Sequence, residues 1–345
     1  MIDFSRQIPI LGLSAQQALS KKTVLVVGCG GLGCFVAMGL AASGIGKLIL
    51  VDFDRVDSTN LHRQYIYNQK DIGRPKAISL QQKIKELNPA AEVEALDEFF
   101  DMNSGKSLLE KTDVVLDCCD HMPTKFLVND LCVLEGKPLI YGSMYKFTAY
   151  VASFNIEIET GGYSANLRDF FEQDHGGADL SCEQVGILNP IVNICAAMQV
   201  QMVIDLITNA AKLQLDQVLI YDLKQWRQSV LKARAKRVNK AEIQVFHNKR
   251  NITEVSWSEL DLQKNTLLSL LDKTQVKDEV LKEYSHFLDK ENQEDFIYNL
   301  PDNSEVFIYC RRGISSLNFI EKYKDLRADL IMKSIIGGMN GYEQS

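Results

Sequence analysis

Two groups of residues in this sequence have the types and the spacing that handle phosphate. The first is the glycine run Gly28-Cys29-Gly30-Gly31-Leu32-Gly33, which follows the apolar segment Val24–Val27. A buried strand that leads through glycines into a helix presents free backbone N–H groups and the positive end of the helix dipole to an anion. Asp52 ends the next apolar segment, where a carboxylate suits a ribose hydroxyl. These features predict a nucleotide site.

The second group is a pair of cations that follows Asp52. Arg63 and Lys76 lie on segments that lead away from the second strand, from which both can reach the same crevice. A dinucleotide requires little extra positive charge, whereas departure of pyrophosphate from a triphosphate requires concentrated positive charge around the leaving group. The pair therefore favours ATP as a reactant over NAD as a hydride carrier. The alternative is that both side chains are solvated surface charges.

Strand, turn and helix patterns alternate along this part of the chain. Such alternation predicts parallel βαβ units, and therefore an α/β, Rossmann-like, mostly parallel sheet with helices on both faces. Pro75 is expected in the first turn of its helix, with Lys76 beside it. The predicted elements are Val24–Val27, Gly31–Ser43, Leu48–Val51, Pro75–Leu87, Val93–Leu96, Val114–Asp117, Pro123–Glu135, Leu139–Tyr141, a strand at 147–159 and Gln217–Asp222.

Polar groups follow the predicted strand Val114–Asp117, at the edge where open α/β sheets bind ligands. Asp120 is one of these polar groups and is therefore a candidate for ligand binding. Alternatively, Asp120 caps the helix that begins near Pro123. Cys118 and Cys119 are expected to pack in the core.

The motifs GCGGLGC, DFDRVDSTNLHRQ, DIGRPKA and LDCCDH resemble, in order and spacing, those of the ThiF/MoeB/HesA family, relatives of the ubiquitin-activating enzymes. The resemblance covers roughly the first two thirds of the chain. It implies ATP-dependent adenylylation of the C-terminal Gly-Gly carboxylate of a small ubiquitin-like sulfur carrier protein, followed by sulfur transfer to form a thiocarboxylate. It implies that Asp52 holds the ribose and that Asp120 meets Mg²⁺ and ATP.

The resemblance also implies roles for residues outside the glycine run. Arg6 matches an arginine that reaches the ATP site of the neighbouring subunit, which implies a homodimer; a surface arginine is the alternative. The other residues implied at the nucleotide are Thr59, Asn60, Leu61, His62, Arg63, Lys76 and His121.

Residues 161–186 are polar and glycine-rich, and a segment of this length is expected to be a functional or mobile loop. Cys182 lies in it and matches the family cysteine that can link to the carrier; an inert loop cysteine is the alternative. Many relatives hold this loop with zinc bound by two CxxC pairs. Tyr163-Ser164-Ala165-Asn166 stands in the place of the first pair, and no CxxC occurs in the chain. We expect no zinc, so the loop must be held in another way.

A domain boundary is predicted between Arg237 and Asn251, which separates a domain at 1–240 from a smaller α/β domain at 251–345. The basic residues before the boundary can meet an acidic carrier, although a solvated strand or linker explains them as well.

The smaller domain contains a strand that delivers a cysteine into a short loop. Val306–Tyr309 leads to Cys310, and Arg311 and Arg312 follow. Backbone N–H groups and arginines in such a loop stabilise a thiolate or persulfide anion. The CxxGxxS pattern resembles that of a rhodanese domain, which implies that Cys310 carries a persulfide. An inactive, degenerate domain is the alternative.

Composition excludes several classes of protein. A hydrophobic fraction of 46% argues against disorder, and a net charge of −7 argues against nucleic acid as the main partner. The N-terminus has no apolar signal segment, and polar residues interrupt the apolar stretch Pro190–Asn209, which favours a core helix over a membrane span. Eight cysteines without a framework spacing suit a reducing cytoplasm.

Two other functions remain open at this point: an NAD(P)-dependent oxidoreductase, which the glycine run alone allows, and a non-catalytic scaffold that binds a carrier protein. A cysteine desulfurase is the expected sulfur source.

Overall fold

A computed structural model describes residues 2–171, 186–234, 237–250, 254–288, 293–310, 315–323, 326–327, 329–335 and 338–342. The chain divides into two compact units, Met1–Lys240 and Ala241–Ser345.

Among the described residues of the first unit, eight strands form one sheet in the order β3-β2-β1-β4-β5-β6-β7-β8. Strands β1 to β5 run parallel, and β6, β7 and β8 continue the sheet antiparallel. The predicted mostly parallel α/β sheet is therefore confirmed. The strands are β1 (Thr23–Val27), β2 (Lys47–Val51), β3 (Glu92–Leu96), β4 (Val114–Asp117), β5 (Leu139–Tyr145), β6 (Thr148–Phe154), β7 (Gln217–Asp222) and β8 (Arg227–Lys232).

Helices cover both faces of the sheet, and β1 is accordingly apolar and buried at every position from Val24 to Val27. Val24 and Val26 belong to the core on the face covered by α3, α4 and α7, whereas Leu25 and Val27 belong to the core under α5 and α6. Successive side chains of a strand point to opposite faces, so a strand buried on both faces is a continuous apolar run. The helices are α1 (Ile8–Leu11), α2 (Leu13–Leu19), α3 (Gly31–Ser43), α4 (Lys76–Leu87), α5 (Met102–Glu110), α6 (Met122–Glu135) and α7 (Asn189–Thr208).

Three element predictions need correction. Helix α4 begins at Lys76, with Pro75 at the N-cap position rather than in the first turn, and β6 ends at Phe154 rather than at 159. Helix α5 was not predicted, because Gly105 in its middle lowers helix propensity. That glycine allows α5 to pack closely on α6, since a Cβ atom there would lie 2.5 Å from Leu131 Cδ1.

Among the described residues, α7 is the one helix long and apolar enough to cross a membrane by composition. It packs instead against α3, β5 and β6. Its buried Gln199 donates hydrogen bonds to the carbonyl oxygens of Asp117, at 3.0 Å, and Ile140, at 3.4 Å. A buried amide that is hydrogen-bonded to two neighbouring strands is typical of a core helix.

In the described part of the second unit, five strands form an all-parallel sheet in the order β11-β10-β12-β13-β9. The strands are β9 (Glu254–Val255), β10 (Thr266–Ser269), β11 (Ser285–Phe287), β12 (Glu305–Tyr309) and β13 (Ile331–Ile335). The helices are α8 (Lys240–Arg250), which begins at the last residue of the first unit, α9 (Glu279–Tyr284), α10 (Gln293–Tyr298), α11 (Ser315–Tyr323) and α12 (Gly338–Tyr342).

Substitution of Gly33 tests how closely α3 packs on the turn before it. A Cβ atom at Gly33 would lie 1.8 Å from the carbonyl oxygen of Gly28. Gly33→Ala should therefore push strand and helix apart and lower the free energy of unfolding by about 3 kcal/mol. Gly30→Ala is the matched control, because the nearest atom to its Cβ would be 3.6 Å away. Urea unfolding measures both variants, and equal stability would contradict this explanation.

Candidate functional site

The glycine loop lies between β1 and α3, at the carboxyl edge of the parallel strands. Gly28 has a φ of +91°, and a Cβ atom there would lie 2.9 Å from the carbonyl oxygen of Cys118 after β4. Only glycine fits this close approach of two strand ends. Helix α3 begins at Gly31, so the N–H groups of its first turn are available to an anion.

Asp52 holds the glycine loop through its carboxylate. Its Oδ2 accepts a hydrogen bond from the Cys29 N–H at 2.6 Å, and its Oδ1 accepts one from the Asp54 N–H at 2.7 Å. Burial raises the pKa of Asp52 to about 6, with a further contribution from Asp54, while the Lys76 ammonium opposes this shift. The partly buried carboxylate therefore lies next to the glycine loop, and its contact with a ribose stays a prediction.

Lys76 is only 6% exposed. Its Nζ lies 3.0 Å from Asp54 Oδ2, and its backbone N–H donates to the Asp54 carbonyl oxygen at 2.9 Å. Burial lowers the pKa of Lys76, but the negative charges of Asp52, Asp54 and Asp120 outweigh it and hold the pKa above its ordinary value. Lys76 is a buried ammonium among carboxylates, so its interpretation as a solvated surface charge is wrong.

Arg63 is partly buried and bonds within its own turn. Its Nη1 donates to the carbonyl oxygen of Thr59 at 3.1 Å and lies 2.9 Å from Nε2 of the exposed His62. Thr59 in turn donates its N–H and its hydroxyl to Asp57 Oδ1, at 2.7 and 2.6 Å. Asn60 is buried in the same turn, and Leu61 packs against the core on the α3 face. The structure thus places these residues on one tight segment after β2.

Asp120 lies exposed after β4, at the same edge of the sheet. It does not cap α6, because the N-cap position belongs to His121, whose Nδ1 lies 3.1 Å from Thr124 Oγ1. Cys118 is buried and Cys119 partly buried, as expected for core packing. The negative charge of Asp120 contributes to the raised pKa of Lys76. The end of β4 therefore acts electrostatically on the start of α4.

The other candidates from the sequence are Arg6, Cys182 and the residues around Cys310. Arg6 is exposed in the turn before α1, and Cys182, Arg311 and Arg312 lie outside the described residues. Cys310 follows β12 directly and is 4% exposed.

The surroundings of Cys310 are a short chain of hydroxyl groups. Its Sγ is 3.6 Å from Ser316 Oγ, which is 2.7 Å from Ser334 Oγ. Both serines are fully buried. The predicted arrangement of strand, cysteine and helix is present, because α11 begins at Ser315.

Two site residues escaped the sequence analysis. Asp54 pairs with Lys76, and the alternation Asp52-Phe53-Asp54 was the available signal. Gln64 is 4% exposed, and its Oε1 has no hydrogen-bond partner among the described residues. Its Nε2 would lie 3.6 Å from a Cβ atom at Gly30, so this amide borders the glycine loop. Its signal was its position directly after Arg63.

Hydrogen bonds hold the start of the predicted loop at 161–186. The Ala165 N–H donates to Asp216 Oδ1 at 2.8 Å. The Asn166 Nδ2 donates to the Val238 carbonyl oxygen at 3.0 Å, and the Val238 N–H donates to Asp169 Oδ1 at 2.7 Å. These bonds, which we call the 165–238 clasp, tie the start of the long loop to the end of the first unit. Within the described ranges, no group of three or more His, Cys, Asp or Glu residues is arranged to hold a metal ion.

Comparison with known proteins identifies relatives of this chain. The ThiF family profile matches residues 4–242. The sulfur carrier protein adenylyltransferase of Thermus thermophilus is 34% identical over 216 residues, which is 62% of this chain and 80% of that protein. MoeZ of Mycobacterium tuberculosis, a probable adenylyltransferase/sulfurtransferase, is 38% identical over 62% of this chain and 55% of its own length. MOCS3 of Dictyostelium discoideum, an adenylyltransferase and sulfurtransferase, is 36% identical over 64% of this chain and 51% of its own length.

The chain thus spans about half the length of the MoeZ and MOCS3 proteins that it matches. Among solved structures, E. coli MccB crystallised with ATP matches 67% of this chain and 72% of its own, with a TM-score of 0.59 and 20% identity. This likeness shows the fold.

Asp52 should make nucleotide affinity depend on pH. Because its pKa is raised to about 6, the carboxylate gains a proton as the pH falls through 6 and loses the charge that suits ribose hydroxyls. We expect ATP affinity, measured by calorimetry, to fall about tenfold between pH 7 and pH 5.

The matched control is Asp52→Asn, which has no proton to gain at this position. Any pH dependence left in it belongs to the phosphates of ATP, so identical profiles for the two proteins would refute the role of Asp52.

Proposed function

The chain belongs to the ThiF family, and on that premise we propose that it is an adenylyltransferase. Its substrate is the C-terminal Gly-Gly carboxylate of a small ubiquitin-like sulfur carrier protein, which it activates with ATP. The observation that carries the proposal is the buried ammonium of Lys76, held charged beside Asp52 and the glycine loop. The names of the relatives favour this substrate class over the oxidoreductase and scaffold alternatives.

The first step joins the carrier carboxylate to AMP. A carboxylate oxygen attacks the α-phosphorus of ATP, the bond from that phosphorus to the bridging oxygen breaks, and pyrophosphate leaves. The glycine loop and the start of α3 hold the phosphates, and Asp52 holds the ribose. Lys76 and Arg63 stabilise the negative charge that develops on the leaving pyrophosphate, which is the main task of a phosphoryl-transfer site.

Asp120 is the carboxylate that would hold Mg²⁺ in this site. It is exposed at the sheet edge and coupled to Lys76, and Mg²⁺ commonly takes one protein carboxylate together with phosphate oxygens and water. The bound ion supplies further positive charge to the triphosphate.

The second step moves sulfur to the activated carbonyl and uses the rhodanese-like second unit. The terminal sulfur of a persulfide on Cys310 attacks the acyl-adenylate, a carbon–sulfur bond forms, and AMP leaves. A second thiol then attacks the Cys310 sulfur of the acyl disulfide. This releases the carrier thiocarboxylate and leaves Cys310 in a disulfide with that thiol. Ser316 supports this role because its hydroxyl lies within reach of the Cys310 sulfur.

Three partner relationships complete the proposal. A homodimer would bring Arg6 of one subunit to the ATP site of the other. A cysteine desulfurase would load Cys310 with sulfur, and Cys182 would link transiently to the carrier. The proposed compartment is the cytoplasm, where thiols stay reduced.

Removing either cation should strongly slow adenylation. Lys76→Met and Arg63→Ala should each lower carrier-dependent ATP–pyrophosphate exchange by a factor of about 100 to 1,000, because each removes positive charge from the leaving group. Lys83→Met is the matched control, since Lys83 lies on the same helix and pairs with Asp71 at 3.1 Å. Exchange is measured with a panel of Gly-Gly carriers, and full activity of both variants would exclude the assignment.

Cys310→Ala should separate the two steps. This variant keeps the whole first unit, so exchange should match that of the wild-type protein. Mass spectrometry of the carrier should show no gain of sulfur when a persulfide donor and a thiol are supplied. Sulfur loading that continues in Cys310→Ala would mean that the second unit is not the donor.

A further inference from the structure

Tyr67 joins the glycine loop to the helix that carries Lys76. Its hydroxyl donates a hydrogen bond to the carbonyl oxygen of Cys29 at 2.6 Å and lies 3.3 Å from the carbonyl oxygen of Lys76. The side chain is 2% exposed. Burial raises the pKa of the Tyr67 phenol well above its ordinary value, so the hydroxyl stays protonated and acts as a donor at neutral pH.

The bond to Cys29 fixes a peptide group that takes part in the loop. The carbonyl of Cys29 and the N–H of Gly30 belong to one planar, trans peptide, so they point in opposite directions. When Tyr67 holds the carbonyl from the core side, the Gly30 N–H is turned away from Tyr67. The Cys29 N–H on the preceding peptide is held by Asp52 at 2.6 Å. Both peptides that flank Cys29 are thus oriented before a ligand arrives.

The contact of the Tyr67 hydroxyl with the Lys76 carbonyl links the glycine loop to the residue that carries the ammonium. The Lys76 carbonyl belongs to the first residue of α4, so the Tyr67 hydroxyl contacts both the loop before Gly30 and the start of the helix. The Lys76 backbone N–H is held by the Asp54 carbonyl at 2.9 Å. The glycine loop and Lys76 therefore both contact the same buried hydroxyl group, that of Tyr67.

The aromatic ring of Tyr67 has a separate role. It belongs to the apolar core on the α3 face, and a phenylalanine ring would fill the same space. Packing therefore explains an aromatic residue at this position but does not explain the hydroxyl group. The hydroxyl can be removed while the ring is kept, so the two roles can be tested independently.

We propose that Tyr67 is a positioning residue for adenylation: its hydroxyl orients the Gly30 N–H towards the phosphates of ATP and sets the distance between the glycine loop and Lys76. This inference rests on the proposed function, because it assumes that ATP is the ligand of the loop. Tyr67 itself does not contact the nucleotide.

Tyr67→Phe tests the proposal in the full-length protein. Calorimetry with ATP and Mg²⁺ should give a dissociation constant about tenfold higher than that of the wild-type protein, the size expected for one misplaced hydrogen-bonding group. In carrier-dependent exchange, KM for ATP should rise and kcat should fall, while KM for the carrier should not change. A purely structural hydroxyl would lower Tm and leave these constants unaltered.

Tyr309→Phe is the matched control. It removes the hydroxyl of another buried tyrosine, which donates to Ser285 Oγ at 2.9 Å in the second unit. It should leave ATP affinity and exchange unchanged. Hydrogen–deuterium exchange of the peptide that covers residues 28–33, measured without nucleotide, should be faster in Tyr67→Phe only.

The possible failures differ in what they overturn. Wild-type affinity, wild-type exchange kinetics and unchanged deuterium uptake in Tyr67→Phe would overturn this inference alone. Absence of ATP binding by the wild-type protein would overturn the proposed function and this inference with it.

Discussion

The site depends on keeping a positive charge in a place that is almost closed to water. Burial of an ammonium costs several kcal/mol unless carboxylates lie close to it. Lys76 meets this condition through Asp54, at 3.0 Å, and through the nearby charge of Asp52. A phosphate chain that entered the crevice would find a cation that has already lost most of its water, so that little reorganisation is needed when charge develops.

The same carboxylates organise the backbone around the cation. Asp52 accepts the Cys29 N–H, and Asp54 uses its carbonyl for the N–H of Lys76. One acidic turn after β2 therefore connects the end of β1, through the glycine loop, with the start of α4. Close packing adds steric restraints, because Gly28 and Gly33 allow strand ends and helix to approach to distances at which a Cβ atom would overlap the backbone. Hydrogen bonds to the carboxylates and close packing thus restrain the same peptide groups of the glycine loop.

The 165–238 clasp holds two segments of the first unit together with directed hydrogen bonds. Asn166, Asp169 and Asp216 supply the side chains for these bonds. Asn166 also belongs to a larger buried network, in which Asn129 donates to both Asn166 and Asp130 and Arg168 donates twice to Asp130, at 2.6 Å each. Because unpaired polar groups are costly in the interior, such a network holds one arrangement only when every member is satisfied. This network therefore forms only when the first unit is folded.

The sequence by itself determined the elements and residues whose causes are local. The apolar run of β1, the glycines after it and the carboxylate at the end of β2 could be read in order, because strand burial, backbone freedom and strand ends leave signals within a few residues. The same holds for Cys310, which follows an apolar strand and precedes a helix, as the structure shows.

Only the tertiary structure decided which groups meet across the fold. Lys76 and Asp54 are 22 positions apart, and either could have been a solvated charge until the fold buried one against the other. Helix α5 has a glycine that weakens it in isolation, and it becomes intelligible only from its contact with α6. Nothing in the sequence pointed to Tyr67, because hydrogen bonds to distant carbonyl groups leave no trace in composition or periodicity. Local conformational preferences depend on neighbouring residues, whereas contacts between residues that are distant in sequence form only when the chain folds.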